Sequence, residues 1–418
     1  MEMTKEQLFA LALHIEKPWY VESIQLNAES KRIDIEINFY RGSEFYYESL
    51  DEGIQGHYKA YDTERKEWRH LNFFEYECYI KACVPRVKIG NGKGPRIIRV
   101  HWEGSKNGFT MLFEAMLLVL CREMAVHTVC RMTNVSDKKM WGLLDLYVGG
   151  SRSERNDEHV QRIGIDETKN KRGHQYVTLF VDMDKKQTLY VTEGKSSETV
   201  SAFKEDLVEH NGKPEQIKQF SCDMSKAFIK GMKQEFSGAE IVFDRFHIMQ
   251  ILNRAVDEVR RTECQHESIL KKSKYLFLKN RENLTKRQAR QLDMIEMSQT
   301  KLKTVKAFHM REHFQDIYQS LSQSEFEAKL KSWCSWVMHS RLDRMKEVVK
   351  IIRAHWYGIV NWKKHQISNG LLEGLNSIIQ ADRAKARGYR RTKNFITIIY
   401  LMTGKLCFNN LNPHYLPT

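Results

Sequence analysis

The sequence lacks paired cysteines and long apolar runs. Its eight cysteines are scattered and none forms a Cys-x-x-Cys pair, so neither a zinc finger nor a disulfide framework can be recognised. Reduced thiols in a cytosolic compartment fit this usage best. The longest apolar stretch, FTMLFEAMLLVLC, contains Glu114 and is too short to span a bilayer. The polar start has no signal-peptide pattern, and we therefore expect a cytoplasmic protein with no membrane partner.

The second half of the chain lacks the residues that break helices. Glycine is absent from residues 239–357 and proline from residues 215–412. Because these are the two strongest helix breakers, their joint absence predicts a long helical block. We place it at 249–360, as a helical insertion that interrupts an α/β region.

Acidic residues are fewer than basic ones. Lys and Arg number 67 and Asp and Glu 53, giving a net charge of +14 and a pI of about 9.2. This excess favours a polyanionic partner such as nucleic acid. The alternative is a soluble basic protein without such a partner.

The first 150 residues divide into two regions. Residues 1–105 look β-rich, and RIDIEINFY alternates as a half-buried strand does; we expect a small antiparallel module. Residues 106–150 read as helix, short turn and helix, which resembles a helix-turn-helix with Lys138 and Lys139 facing the DNA. Any three packed helices would give a similar pattern.

An α/β pattern follows a polar linker, GGSRSERND, at 149–157. Residues 158–248 read as three strands, a helix, a strand, a helix and a last strand, EIVFDRFH. This order resembles a ribonuclease-H-like core, by analogy of fold. We expect residues 361–418 to complete that core, so the fold class is α+β and multidomain.

Two acidic residues end predicted strands. Asp166 ends RIGID and Asp223 ends IKQFSCD. If the two strands are parallel neighbours, both side chains lie at the carboxyl end of the sheet, where α/β folds place their ligands.

A third acid lies on a late helix. The apolar stripe of that helix begins with Leu371 and Leu375 and continues to Ile379. Glu373 falls off this stripe and shares a face with other polar residues, namely Asn369, Asn376 and Gln380.

Three clustered carboxylates point to divalent metal. They repel each other unless a cation sits between them. Two Mg²⁺ ions roughly 4 Å apart would balance their charge and polarise both oxygens of a phosphoryl displacement; Mn²⁺ can substitute. Any one of 53 acids is more simply a surface or capping residue, and only the combined placement of these three favours a metal site.

Several motifs together resemble a known family. They are GIDETKNKRGHQYVTLFVD, FSCDMSKAFIKG, FDRFHIMQ and SNGLLEGLNSIIQADRAKARGYR, with WRHLNFFEYECYIKACVPRVK upstream and NLNPHYLPT at the end. They look like the ISL-three family of bacterial insertion-sequence transposases, which are DDE enzymes with a ribonuclease-H-like core. The resemblance covers nearly the whole chain.

The resemblance implies roles for individual residues. Asp166, Asp223 and Glu373 would be the catalytic metal ligands, with the helical insertion between the second and the third. Asp244 and His247 form the Asp-x-x-His motif that such enzymes also show. His247 could orient a phosphate or a ligand carboxylate, or it could be a structural histidine.

Basic residues follow Glu373 closely. In the functional reading they contact phosphates near the active site; in the alternative they complement the dipole of a solvated helix end. These residues are Arg383, Lys385, Arg387, Arg390, Arg391 and Lys393.

The chain departs from the family in one respect. The family normally carries a cysteine-based zinc ribbon before the WRHL-type segment, and here the corresponding stretch has no cysteine. Four zinc ligands cannot be assembled from Cys78, Cys83 and His57. We therefore expect residues 1–105 to form a degenerate, ribbon-like module that folds without zinc.

The sequence thus predicts a DNA transposase that binds double-stranded DNA at terminal inverted repeats and at the target. It would cleave a strand with metal-activated water and join the freed 3′ hydroxyl to target DNA, as at least a homodimer associated with the nucleoid. Two alternatives stay open. One is an inactive or domesticated DNA-binding protein, and the other a ribonuclease-H-like nuclease without strand transfer.

Overall fold

The computed structural model describes residues 3–49, 51–90, 92, 94–105, 107–171, 175–298, 301–365 and 370–408. The chain divides into two compact units. The first contains Met1–Ser151 with Leu406–Thr418, and the second is Arg152–Lys405. Each unit combines helices with one mixed sheet, so the fold is mixed α/β.

A six-stranded sheet forms most of the first unit. Its strands are β1 (Trp19–Asn27), β2 (Arg32–Phe39), β3 (Glu44–Ser49), β4 (Ile54–Arg69), β5 (Glu77–Val87) and β6 (Arg96–Ile97). The order is β1-β2-β5-β4-β3, and β6 pairs with β5. Strands β2 and β5 run parallel, whereas β5 with β6 and the other pairs of the sheet are antiparallel, so the predicted antiparallel module is confirmed except at this one pair. The parallel pair arises because β5 inserts beside β2 rather than closing a hairpin with it.

The alternation of β2 produces the core of this sheet. Ile33, Ile35 and Ile37 all point to one face and are buried, because successive side chains of a strand alternate between faces. They pack in one cluster with Trp19 and Trp68.

Four helices also belong wholly or largely to this unit. They are α1 (Lys5–Ala12), α2 (Met111–Glu123), α3 (Val126–Thr133) and α4 (Asp137–Ser153). The Lys139 N–H donates to Ser136 Oγ at 3.4 Å, at the start of α4. Gly149 and Gly150 lie inside α4, so the linker expected at 149–157 begins later than the sequence suggests, because helical hydrogen bonding continues through both glycines.

A five-stranded sheet forms the centre of the second unit. Its strands are β7 (Arg162–Lys169), β8 (Tyr176–Asp182), β9 (Gln187–Glu193), β10 (Gln219–Cys222) and β11 (Glu240–Phe243). The order is β11-β10-β7-β8-β9. Strands β7, β8 and β9 form an antiparallel meander, whereas β10 and β11 run parallel to β7.

Two helices connect the later strands of this sheet, α5 (Glu198–Glu209) and α6 (Lys226–Glu235). Phe203 of α5 stacks on Phe180 of β8 with ring centroids 4.4 Å apart, and both rings are fully buried. This contact packs α5 against the sheet.

The remaining helices follow β11. They are α7 (Arg245–Glu263), α8 (Lys274–Leu278), α9 (Lys286–Ser298), α10 (Lys303–Ile317), α11 (Gln323–Met338), α12 (Asp343–Ala354), α13 (Trp356–His365), α14 (Gly370–Lys385) and α15 (Thr392–Thr403). Within the described part of 249–360 the regular structure is helical. The segment DRFH is not part of a strand, because Asp244 caps α7 and accepts from the Phe246 N–H at 3.1 Å.

Among the described residues, no helix combines the length and apolar character needed to cross a bilayer.

Candidate active site

Helix α14 lies along β7 through polar contacts in register. Asn376 Nδ2 donates to Asp166 Oδ2 at 2.6 Å. One helical turn later, Gln380 Nε2 donates to Thr168 Oγ1 at 2.6 Å. Four helical residues rise about 6 Å and two strand residues about 6.6 Å, so steps of four on α14 match steps of two on β7.

One turn earlier on α14, an apolar contact with β7 keeps the same register. Leu372 is buried and lies against Gly164, where a Cβ would come within 2.9 Å of Leu372 Cδ2. The absence of a side chain at Gly164 therefore lets α14 approach the strand closely. Glu373 is thereby held beside the sheet end that carries Asp166.

Asp166 and Asp223 lie at the same level of neighbouring strands. Strands β7 and β10 are parallel, and Ser221 pairs with Gly164. Asp223 and Asp166 each follow that pair by two residues, so they lie at one level, just beyond the end of the β7–β10 pairing. Strand β7 itself continues beside β8 to Lys169, so the prediction that Asp166 ends its strand is wrong.

The environment of Asp166 is unusual for a carboxylate. Burial raises its pKa to about 6, and the nearby Asp223 charge acts in the same direction. The Glu167 N–H, which donates to Asp166 Oδ1 at 2.8 Å, the facing His247 and the Asn376 amide lower the pKa. Asp166 is therefore a half-buried acid that hydrogen bonds orient and that other charges surround.

Glu167 is an acid that the sequence reasoning did not single out. Burial raises its pKa, and the charges of Asp223 and Asp166 add to the effect while Lys195 opposes it. The signal was present in the motif GIDE, but alternation along a strand suggests that adjacent residues face apart. The three carboxyls nevertheless share one electrostatic environment.

Asp244 and His247 are electrostatically coupled to the other acids of the site. Asp244 is only 5% exposed, and burial raises its pKa; Glu373 raises it further and His247 lowers it. His247 acts on Asp166 in the same way. The imidazole therefore lies within electrostatic reach of both Asp166 and Asp244.

Glu373 itself is exposed, in the first turn of α14. It precedes Asn376 by three residues, which puts the two side chains on neighbouring positions of the helix surface. Of the other polar residues expected on this face, Asn369 falls outside the described residues.

The structure does not place the ligand atoms of Asp166, Asp223 and Glu373 all within 4.8 Å of one another. Over the described residues, the group whose ligand atoms all lie within 4.8 Å of one another is Asp157, Asp206 and His210. Arg155 donates to both of these carboxylates, and Arg152 Nη2 donates to Asp206 Oδ1 at 2.8 Å. Two guanidinium groups already neutralise this cluster, so we interpret it as a structural ion-pair network.

The donor set around Asp166 suits a hard cation. Asp166, Asp223 and Glu373 offer only oxygen atoms, the ligands that Mg²⁺ prefers. A further oxygen nearby, Asn376 Oδ1, is buried and has no hydrogen-bond partner in the protein. The residues at this position therefore fit a divalent metal ion.

The predicted basic residues differ in their surroundings. Arg383 is partly buried, and its Nη1 donates to Gln380 Oε1 at 2.9 Å, so it supports the α14–β7 contact. The others are exposed at the end of α14 and the start of α15: Lys385, Arg387, Arg390, Arg391 and Lys393.

Lys138 and Lys139 are exposed in the first turn of α4. Lys139 Nζ lies 5.2 Å from the centroid of the Phe109 ring. This contact leaves the Lys138 ammonium as the more accessible of the two charges.

Comparison with known proteins assigns the class. Residues 163–399 match the sequence profile of a family described as "Transposase", the DDE transposases of the ISL-three type. The matched range covers more than half of the chain and includes all three acids of the trio. The chain therefore belongs to the ISL-three family of insertion-sequence transposases, as the sequence motifs indicated.

Individual relatives agree with this assignment. The chain is 26% identical over 345 residues to the transposase for insertion sequence element IS1001 of Bordetella parapertussis, covering 81% of this chain and 84% of the relative. It is 26% identical over 369 residues to the transposase for insertion sequence element IS1557 of Mycobacterium tuberculosis, covering 80% of this chain and 81% of the relative.

Proposed function

We propose that the chain cuts and joins DNA as a metal-dependent DDE transposase, with Asp166, Asp223 and Glu373 as the ligands of one metal centre. The observation that carries the proposal is the arrangement around His247. The charges of Asp223 and His247 act on Asp166, and the charges of Glu373 and His247 act on Asp244, so His247 is the group common to both acids.

The sheet topology supports a ribonuclease-H-like core. Three antiparallel strands are followed by two strands parallel to the first, and the first strand lies at the centre. In such a core the first and fourth strands carry acids at one level of the sheet, which is the register of Asp166 and Asp223.

The metal ions, when bound, would polarise the scissile phosphate and activate the attacking water or 3′ hydroxyl. Mg²⁺ is the natural candidate, and Mn²⁺ offers similar chemistry. The residues of the chain would position the metal ligands and the phosphate. Asn376 holds the Asp166 carboxylate in one orientation, and Asp244 caps the helix that carries His247. His247 would then orient a ligand carboxylate or a phosphate.

The basic side chains indicate where DNA would bind. The exposed cations beyond Glu373 lie at the end of α14, which carries that candidate metal ligand, and in the segment up to the start of α15, so they would contact phosphates close to the cut. Lys138 and Lys139, on a helix-turn-helix formed by α3 and α4, and the β-rich module of residues 1–105 would bind the inverted repeats. Cutting and joining two ends requires at least a homodimer, acting on the nucleoid in the cytoplasm.

A strand-cleavage assay tests the proposal. The substrate is a duplex that carries the inverted repeat flanking the gene, incubated with the full chain and Mg²⁺. Wild type should nick the strand and join its 3′ end to a target plasmid, and Asp223→Asn should lower the rate at least 1000-fold. The matched control is Asp343→Asn, because the Asp343 side chain is 90% exposed on α12.

Three results would contradict this account. Equal cleavage by wild type and Asp223→Asn would remove Asp223 from catalysis. Nicking without strand transfer would favour a nuclease, and binding without nicking a protein that has lost its chemistry.

A further inference from the structure

A cleft of about 660 Å³ lies in the second unit, among α7, the segment after α8, α10 and α13. It begins at Asp244, which also faces Glu373 and His247. The cleft therefore adjoins the candidate metal centre but extends away from it, into the helical block. Its volume lies within the range of pockets that bind small organic ligands.

The wall of the cleft is rich in amide side chains. Arg311, which is almost fully buried, donates to Asn253 Oδ1 at 3.1 Å and also bonds Asn280 Oδ1. Because both amide oxygens accept from Arg311, the amides offer their NH₂ groups to a ligand. Arg311 thus holds two hydrogen-bond donors of the wall in fixed positions.

Two further atoms of the wall are acceptors without a donor. Asp244 Oδ2 and Gln315 Oε1 are both buried and have no partner in the protein. A buried acceptor left unpaired costs about 1–3 kcal/mol, so a suitable ligand brings its own N–H donors. The Asp244 side chain is more than nine-tenths buried, which makes this requirement strict.

Aromatic and cationic side chains complete the cleft. Phe246 is 48% exposed and lines the cleft, so one flat face is available for stacking. Arg245 and Lys279 also line it and provide positive charge. A nucleotide is bound by three kinds of group. Hydrogen-bond donors and acceptors contact the edge of its base, aromatic rings stack on the face of the base, and cations contact its phosphate.

We propose that this cleft binds one nucleotide of the DNA, taken out of the base stack next to the phosphodiester that is cut. The proposal rests on the proposed function for its location, because the cleft reaches the metal centre through Asp244. It adds a base-binding pocket in which the edge of the base meets Asp244 and Gln315 and its face meets Phe246. Exocyclic amino groups of cytosine, adenine or guanine supply the donors that these acceptors need.

Photocrosslinking tests the proposal without any cleavage. Duplexes carrying 5-iodocytosine, which keeps the exocyclic amino group, at successive positions around the cut are bound to the full chain in EDTA, and binding is verified by gel shift. Irradiation should crosslink one position to the peptide 246–254, which begins at Phe246. Phe246→Ala should lower that yield more than threefold, and Tyr275→Ala, an exposed aromatic on α8 outside the cleft, should leave it unchanged.

A second arm separates DNA from free nucleotide. The monophosphate of 5-iodo-deoxycytidine alone should crosslink at least tenfold less than the duplex at equal concentration. Equal or stronger labelling by the free nucleotide would identify a small-molecule pocket and overturn the proposal, as would duplex crosslinks that all map outside the cleft.

The two proposals can fail separately. If the chain crosslinks at the cleft but does not nick DNA in Mg²⁺, only the proposed function is contradicted. Nicking by a chain that gives no such crosslink would sink the nucleotide pocket alone.

Discussion

Asn376 Nδ2 donates to Asp166 Oδ2 across 2.6 Å, between residues 210 positions apart in the chain. The bond joins helix α14 to strand β7. It couples the orientation of the first proposed ligand to the helix that carries the third, Glu373.

Loss of this bond should slow cleavage without weakening DNA binding. Asn376→Ala frees the Asp166 carboxylate to rotate, and groups that orient a metal ligand are typically worth 10–100-fold. We expect a fall of this size in the cleavage rate and a rise in the Mg²⁺ concentration that gives half the maximal rate.

The matched control for this variant is Gln380→Ala, one turn later on the same face, whose amide bonds Thr168 rather than an acid. Its dependence on Mg²⁺ should match wild type. The same dependence for Asn376→Ala and wild type would show that the bond has no role in positioning the metal ligand.

Close packing at Gly164 should be essential for activity. A Cβ there would lie 2.5 Å from Met183 Sδ and 2.9 Å from Leu372 Cδ2, and such overpacking costs about 1–3 kcal/mol. Gly164→Ala should therefore lower the free energy of unfolding by that amount and slow cleavage by moving α14. Gly238→Ala, with no heavy atom within 4 Å of the new Cβ, should do neither. Wild-type cleavage by Gly164→Ala would mean that α14 need not approach β7 so closely.

Much of the second unit could be predicted from local patterns. Apolar runs gave its strands, and the rule for carboxyl ends of parallel strands placed Asp166 beside Asp223. The sequence did not predict which face of a helix is buried where that face is set by the element it packs against. The stripe predicted for α14 is confirmed at Ile379, which is buried, but it omits Leu372, which is the buried residue at the start of the helix. Helix α14 turns Asn376 and Gln380 toward polar groups of β7, which no local period can reveal. The cleft is formed by four segments that are distant in sequence, so no local sequence pattern predicts it either.

The ion-pair network at Arg155 should stabilise the second unit. Arg155→Ala would leave Asp157, which is buried, and much of Asp206 without their partner, and breaking such a pair costs about 3–5 kcal/mol. Urea unfolding should show a loss of that order. Arg162→Ala breaks an exposed pair with Asp184 and should cost under about 1 kcal/mol. Similar losses for the two variants would refute the interpretation.

His70 should make the first unit less stable in acid. Burial lowers its pKa to about 4, with the Arg69 charge acting in the same direction, whereas an unfolded histidine titrates near 6.5. Between these values the unfolded chain binds more protons, so stability falls as the pH drops through 6.5 and stops falling below about 4. From pH 7.5 to 5 this residue should account for about 2 kcal/mol.

The variant His70→Gln isolates this contribution. Its free energy of unfolding, measured with urea at both pH values, should fall about 2 kcal/mol less than that of wild type. Parallel losses in the two proteins would place the titration elsewhere.

The most direct test of the metal centre is a Mn²⁺ titration followed by electron paramagnetic resonance, on the full chain bound to its end duplex. The account predicts that Asp166→Asn, Asp223→Asn and Glu373→Gln each weaken Mn²⁺ binding at least tenfold, while Asp343→Asn binds as wild type does. Wild-type affinity in any one of the three would contradict a single centre shared by these acids.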